Sequence, residues 1–261
     1  MNISITARGR HNPNYPHIEK NIIEYIDNYV SMIDYNDVNV DYVFGTVSDW
    51  TPLYGGRVAE GPEVLDNEVS LLYDKGIGIK IPLQVENFNK EHLNQTIPLL
   101  KKYHRSQNAL VIANDYLAEV VRERFPLYTI EASAILNYNL SDINNPLYDS
   151  IVLPIYRNDN KLFLDKIVDK DRVRLFINAE CSYNCPVKVC YSSISEINKS
   201  PLDDIDFRCS AEIIPRKQMK DSTMLDNYFF PVGDLIDMGF NNFKMVSHDR
   251  QLSQLDRIDY D

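Results

Sequence analysis

The chain switches repeatedly between two hydrophobic periods. Residues 3–7, 41–46, 77–85, 109–113, 128–134, 150–155, 173–177, 211–214 and 243–246 are short apolar or alternating runs rich in Ile, Val, Leu and Phe, the pattern of strands. Between them lie stretches whose apolar residues recur every three to four positions. In 18–33, Ile22, Ile23, Ile26, Val30 and Ile33 share one helical face. Further helices are expected over 62–74, with Pro62 suited to the first turn, and over 90–103, 115–124, about 160–168 and 232–238. Residues 249–256 read as a closing helix.

Repeated βα units imply a parallel sheet with helices outside it. The strand count is close to the eight of a (β/α)8 barrel, which takes about 250 residues, and the chain has 261. The expected fold is therefore α/β, a single (β/α)8-like (TIM-type) barrel over residues 1–261, with room for irregular units and a cysteine-bearing loop at about 178–210. A doubly wound open sheet is the alternative. It usually opens with a Gly-rich turn, and no G-x-G-x-x-G follows a strand here. No composition break or internal repeat marks a second domain.

Composition narrows the partners. The net charge is −11 and the pI about 4.9, which repels polyphosphate backbones and disfavours a nucleic-acid partner. The basic run Lys101-Lys102-Tyr103-His104-Arg105 falls at the end of an expected helix, where positive charge complements the helix dipole. The N-terminus lacks a basic and then apolar leader pattern. No apolar run approaches the roughly 18 residues of a membrane span. A cytoplasmic protein with reduced thiols and no membrane contact is expected.

In that setting the cysteines carry the strongest chemical signal. Cys181, Cys185 and Cys190 follow the apolar run 173–177, and Cys209 comes next, giving C-x3-C-x4-C-x18-C. Clustered cytoplasmic thiols point to metal before disulfide. Structural zinc favours C-x2-C knuckles, of which there are none, whereas iron–sulfur clusters accept looser spacing. The four cysteines are thus candidate ligands of a [4Fe–4S] cluster, with zinc as the alternative cofactor. Unrelated buried thiols are the reading without chemistry.

Other candidates sit at strand ends, where barrel enzymes assemble their sites. Arg57, beside Gly55 and Gly56, can present its planar fork to a carboxylate. Asn87 follows the third strand, and Asp115 the fourth, where it also suits the N-cap of the next helix. Glu131 lies within a strand whose alternation can turn it into the barrel. Asn178 opens the cysteine loop, and Lys244, in the last strand, is a natural anion contact. Arg57, Asn87, Asp115, Glu131, Asn178 and Lys244 are therefore the candidate substrate-binding residues. His92 and His104 are expected as solvated helix residues, and His248 follows the last strand. No H-E-x-x-H pair, G-x-S-x-G elbow or P-loop is present, so peptidase or other hydrolytic chemistry has no support in the sequence.

Two segments carry a family resemblance. One is Leu175-Phe176-Ile177-Asn178-Ala179-Glu180-Cys181-Ser182-Tyr183-Asn184-Cys185-Pro186. The other runs from Phe230-Pro231-Val232-Gly233-Asp234-Leu235 through Gly239 to Phe243-Lys244-Met245. In this order they resemble the collagenase-like peptidase U family, where a cysteine-bearing loop precedes a "P-x-D-L…G…FKIEGR"-like segment. Asn114-Asp115-Tyr116-Leu117 and Arg122-Glu123-Arg124-Phe125-Pro126 fit the same layout. The resemblance implies a (β/α)8-like barrel, a four-cysteine [4Fe–4S] cluster and oxygen-independent hydroxylation of ubiquinone precursors or of RNA bases, with prephenate implicated as oxygen donor. Of the last motif only Phe243 and Lys244 match, since the chain continues Met245-Val246-Ser247-His248.

Combined with the acidity, the resemblance implies an iron–sulfur protein expected to carry out or assist oxygen-independent hydroxylation or related redox chemistry on a small anionic molecule or a protein-bound substrate. The alternatives are a zinc-stabilised interaction protein with a protein partner, and a metal-free barrel enzyme acting on an anionic small molecule.

Overall fold

The computed structural model describes residues 1–7, 21–31, 33, 35, 37–55, 62–136, 139–179 and 228–246. Eight parallel strands close a barrel. In chain order, with the intervening helices, they are β1 (Asn2–Thr6), α1 (Ile22–Ser31), β2 (Asn39–Phe44), α2 (Asp66–Asp74), β3 (Gly78–Leu83), α3 (Lys90–Lys102), β4 (Ala109–Ile112), α4 (Asp115–Arg124), β5 (Thr129–Ala132), β6 (Ser150–Val152), α5 (Lys161–Leu164) and β7 (Val173–Phe176). A two-stranded antiparallel ribbon follows, β8 (Asn178–Ala179) with β9 (Tyr228–Phe229), then α6 (Val232–Asp237) and the closing strand β10 (Asn242–Met245). β10 lies between β7 and β1, so first and last strands pair and the barrel has no edge. The expected strand 211–214 and helix 249–256 lie outside the described residues.

Alternation sorts each strand into two faces. Ile3 and Ile5, Ile79 and Ile81, Leu110 and Ile112, Val173 and Leu175, and Phe243 and Met245 join one buried apolar cluster with Ile22, Ile26, Leu72, Leu99, Leu117 and Leu235 of the helices. This is the layer between strands and helices. The opposite positions, Ser4, Lys80, Glu131, Arg174 and Lys244, are polar and also buried, between 0 and 7 % exposed. They fill the barrel's interior.

The helices depart from expectation where backbone or side chains have other partners. On α1 the fully buried face is Ile22, Tyr25, Ile26 and Tyr29, while Ile23 and Val30 are only partly buried. The Tyr25 hydroxyl donates to the Thr6 carbonyl (2.7 Å), which fixes this rotation. Pro62 is not in the first turn of α2. Glu63 and Val64 donate their backbone N–H groups to the Thr46 carbonyl, both at 3.0 Å, and Val64 bridges Val47, so the helix starts only at Asp66. α5 is a single turn, capped by Asn160, rather than a helix reaching residue 168.

Two glycines are required by close approach. A Cβ on Gly78 would stand 1.9 Å from the Gln107 carbonyl oxygen, and one on Gly55, at φ +71°, 2.6 Å from the Gln84 backbone. Beneath the barrel, amides tie three neighbouring strands together. Asn39 donates to Asn2 (3.0 Å), Asn2 to Asn242 (3.1 Å), and Asn242 to the Asp171 carbonyl (2.7 Å).

Candidate functional site

The interior charges come from strands that do not neighbour each other. Lys80 on β3 donates to Glu131 on β5 at 2.6 Å, and Arg174 Nε on β7 stands 3.1 Å from the same carboxylate oxygen. Such contacts can only cross the barrel's lumen. The Arg174–Glu131 approach is an ion pair without hydrogen-bond alignment, since Arg174 Nε has no hydrogen-bond partner. The far side of the guanidinium grips Asp41 of β2 with both terminal nitrogens, and Nη1 also donates to the Phe243 carbonyl (2.7 Å). Asp41 reaches inward through a bulge, because Ile3 pairs with Val40 but Ser4 pairs with Tyr42, leaving Asp41 as the extra residue. Tyr42 lies below the cations, its ring centroid 4.4 Å from Lys80 Nζ and 6.0 Å from the Arg174 guanidinium. Ser150 Oγ donates to Glu131 at 3.2 Å.

Burial alone would push Glu131 toward the protonated form. The charges of Lys80, Arg174 and Lys244 outweigh it and hold the carboxyl at about 2. Burial pushes Lys80 the other way, below the usual lysine range, with Arg174 adding to the effect and Glu131 opposing it. For Arg174, burial is outweighed by Glu131 and Asp41, and its pKa rises. Glu131 and Arg174 are thus held in their charged forms, and pairing opposite charges is the condition for burying them at tolerable cost.

Lys244 sits toward the C-terminal mouth. It pairs in register with Ser4 and Phe176, and its ammonium lies 4.2 Å from the Phe44 ring centroid and 5.9 Å from that of Phe176. Phe176 ends β7. Two residues later Asn178 accepts a hydrogen bond from Val246 N–H (2.9 Å) and returns one to the Val246 carbonyl, locking the exits of β7 and β10 together. Cys181 follows three residues after Asn178. On the same rim Gln84 donates to Ser133 at 2.8 Å. In the loop after β6, Asn158 donates to the Phe176 carbonyl (2.6 Å), and the neighbouring Arg157 lies 4.3 Å from the Phe163 ring.

The structure brings Glu131, Lys244 and Asn178 to the lumen and its mouth. Asn87 is exposed in the loop after β3. Asp115 is the first residue of α4 and accepts from the Tyr148 hydroxyl at 2.6 Å, whereas Asn114 provides the N-cap, accepting from Leu117 N–H. The cap expected at Asp115 is therefore one residue earlier. Arg57, His248, Cys181, Cys185, Cys190 and Cys209 lie outside the described residues. Among the described residues no cluster of His, Cys, Asp or Glu has the arrangement of a metal site, and no helix is long and apolar enough to cross a membrane. His104 lies just past the end of α3 and is half-buried rather than fully solvated. It accepts from Leu127 N–H (3.0 Å) and packs edge-on to Phe125. Nor is Lys102 simply a dipole partner, since it bridges Asp49 (2.6 Å) and Asp66 (3.1 Å).

Sequence reasoning passed over Lys80, Arg174 and Asp41. The signal was present for two of them. Lys80 stands between Ile79 and Ile81, and Arg174 between Val173 and Leu175, each a single charge inside an apolar strand of a sheet covered on both faces.

Fold and lumen together define a closed (β/α)8 barrel with a charged interior and Lys244 toward its C-terminal mouth. The solved structure of the U32 peptidase Mk0906 shares this architecture, with a TM-score of 0.54 over 95% of this chain and 92% of that one, at 13% sequence identity. That likeness establishes a common fold. No protein-family model matches the chain, and no curated protein sequence matches it.

Proposed function

We propose that this chain is an iron–sulfur barrel protein of the collagenase-like peptidase U type that binds a small anionic molecule, or an anionic group on a partner protein, at the C-terminal mouth and takes part in oxygen-independent redox chemistry on it. The observation that carries the reading is the position of Lys244. Its ammonium faces two aromatic rings at the mouth, on a strand clasped through Asn178 to the strand that leads into the cysteine segment. Barrel enzymes place their chemistry at this end, and the shared fold with a U32 peptidase agrees with the proposed family.

Four thiols are a donor set that fits a [4Fe–4S] cluster, and Cys181, Cys185, Cys190 and Cys209 are its proposed ligands. Such a group supplies one-electron transfer when bound. Lys244, with Arg157 of the loop after β6, binds and orients the anion, and Arg57 is a further candidate contact by its place in the sequence. The buried ionic layer beneath, with Lys80 bonded to Glu131, forms the floor of the mouth.

Anaerobic purification followed by iron, sulfide and zinc analysis tests the cofactor. A brown protein with about four irons and four sulfides per chain is expected, and a colourless zinc protein overturns the iron–sulfur assignment. The anion site is tested separately by titration with malonate and inorganic phosphate. Lys244→Ala should weaken binding about tenfold or more, the effect of a lost charge-assisted contact, with metal content unchanged. Lys244 is held by described residues of β10, paired with β1 and β7, and this favours one second reading, a metal-free barrel enzyme. That reading requires activity to survive replacement of all four cysteines by serine.

A further inference from the structure

Three buried polar atoms of the interior layer have no hydrogen-bond partner: Ser4 Oγ, Glu131 Oε1 and Arg174 Nε. Their side chains are 0, 0 and 4 % exposed. All three side chains belong to the buried polar face of their strands. Glu131 and Arg174 touch directly, and Ser4 pairs in register with Tyr42, whose ring lies beside both Lys80 and Arg174. With Lys80 they come from alternate strands β1, β3, β5 and β7, which is how a closed eight-stranded barrel builds one interior layer. Buried polar groups without a protein partner are satisfied by an ordered water or ion, and each demands an account.

We infer that this layer is built around one buried water molecule, held by Ser4, Glu131 and Arg174. The chemistry of the three atoms selects it. Arg174 Nε–H and the Ser4 hydroxyl can donate, and Glu131 Oε1, on an ionised carboxylate, can only accept. A halide or other small anion would meet the two donors but would be repelled by Glu131. A metal cation would meet the carboxylate but face Arg174 and Lys80. Water accepts and donates at once, and three polar partners are what a buried water ordinarily has. Each of the three atoms then has a hydrogen bond, with Lys80 and Ser150 on one carboxylate oxygen of Glu131 and the water on the other.

A crystal structure of the intact protein at about 1.6 Å or better, from native and bromide-soaked crystals, tests this directly. The expected result is a solvent peak within about 3.2 Å of Glu131 Oε1 and of Ser4 Oγ or Arg174 Nε, without anomalous signal after the soak. No peak there, or a bromide signal in its place, overturns the inference. Thermal unfolding gives a second reading with opposite signs. Ser4→Val puts a methyl group where the water would sit, so displacing the water should lower Tm by about 4 °C or more, whereas filling a dry void would leave Tm unchanged or raise it. The smaller Ser4→Ala retains two of the three partners and should lower Tm less than Ser4→Val.

Discussion

At the scale of single residues, Glu131 holds the barrel's interior together. It is fully buried, and two cations depend on its charge. Glu131→Ala leaves Lys80 and Arg174 facing each other in a low-dielectric lumen, and we expect a loss of about 3–5 kcal/mol, the usual cost of breaking a buried pair from one side. Urea denaturation measures it. Replacing the pair together, with Lys80→Met and Glu131→Leu, should cost clearly less than the sum of the single changes, because no lone charge remains between them. The same carboxyl makes stability pH-dependent. Its pKa falls from 4.5 to about 2 on folding, so in that window the unfolded chain binds a proton that the folded chain does not. The stability Glu131 supplies is complete above about pH 4.5 and is lost as pH falls toward 2. Melting curves across this range should fall less steeply for Glu131→Gln than for the unaltered protein.

At the scale of elements, the strands follow the apolar pattern closely, while helix ends follow caps and tertiary contacts. α4 begins where Asn114 accepts from Leu117 N–H, and the same amide donates to the Glu86 carbonyl at 2.7 Å, pinning the loop after β3. Asn114→Ala should therefore cost about 1 kcal/mol or slightly more. Asn and Asp at neighbouring positions are both good caps, and only the backbone path decides which one acts. Glycines divide in the same way. Gly78→Ala should destabilise severely, because its Cβ would collide with the Gln107 carbonyl. Gly233→Ala in α6, with nothing within 4 Å, should be neutral or stabilise by about 0.5 kcal/mol. Comparing their Tm values checks both, and nothing in the sequence tells these two glycines apart.

At the scale of the whole molecule, the barrel is closed by its first and last strands. β10 supplies hydrogen bonds to both β1 and β7 and brings Lys244 to the mouth. A chain ending at Asp237 would expose two unpaired parallel edges, each a template for association. We expect it to aggregate or elute as large oligomers in size-exclusion chromatography, with no cooperative melting transition.

The apolar pattern by itself determined the fold class. Nine strand-like runs separated by helical stretches, in a chain of this length, leave few ways to bury every hydrophobic face, and the eight-stranded barrel is the one in which no strand edge stays open. It also singled out Glu131 and Lys244, since alternation within a strand assigns a residue to a face. Only the tertiary structure decided which charges meet. Lys80, Glu131, Arg174 and Asp41 are separated by up to 133 positions along the chain, and their pairing depends on barrel stagger and on a one-residue bulge in β2. A local pattern fixes the direction of a side chain along its own strand, but not the distance across a lumen that exists only after the eighth strand has closed.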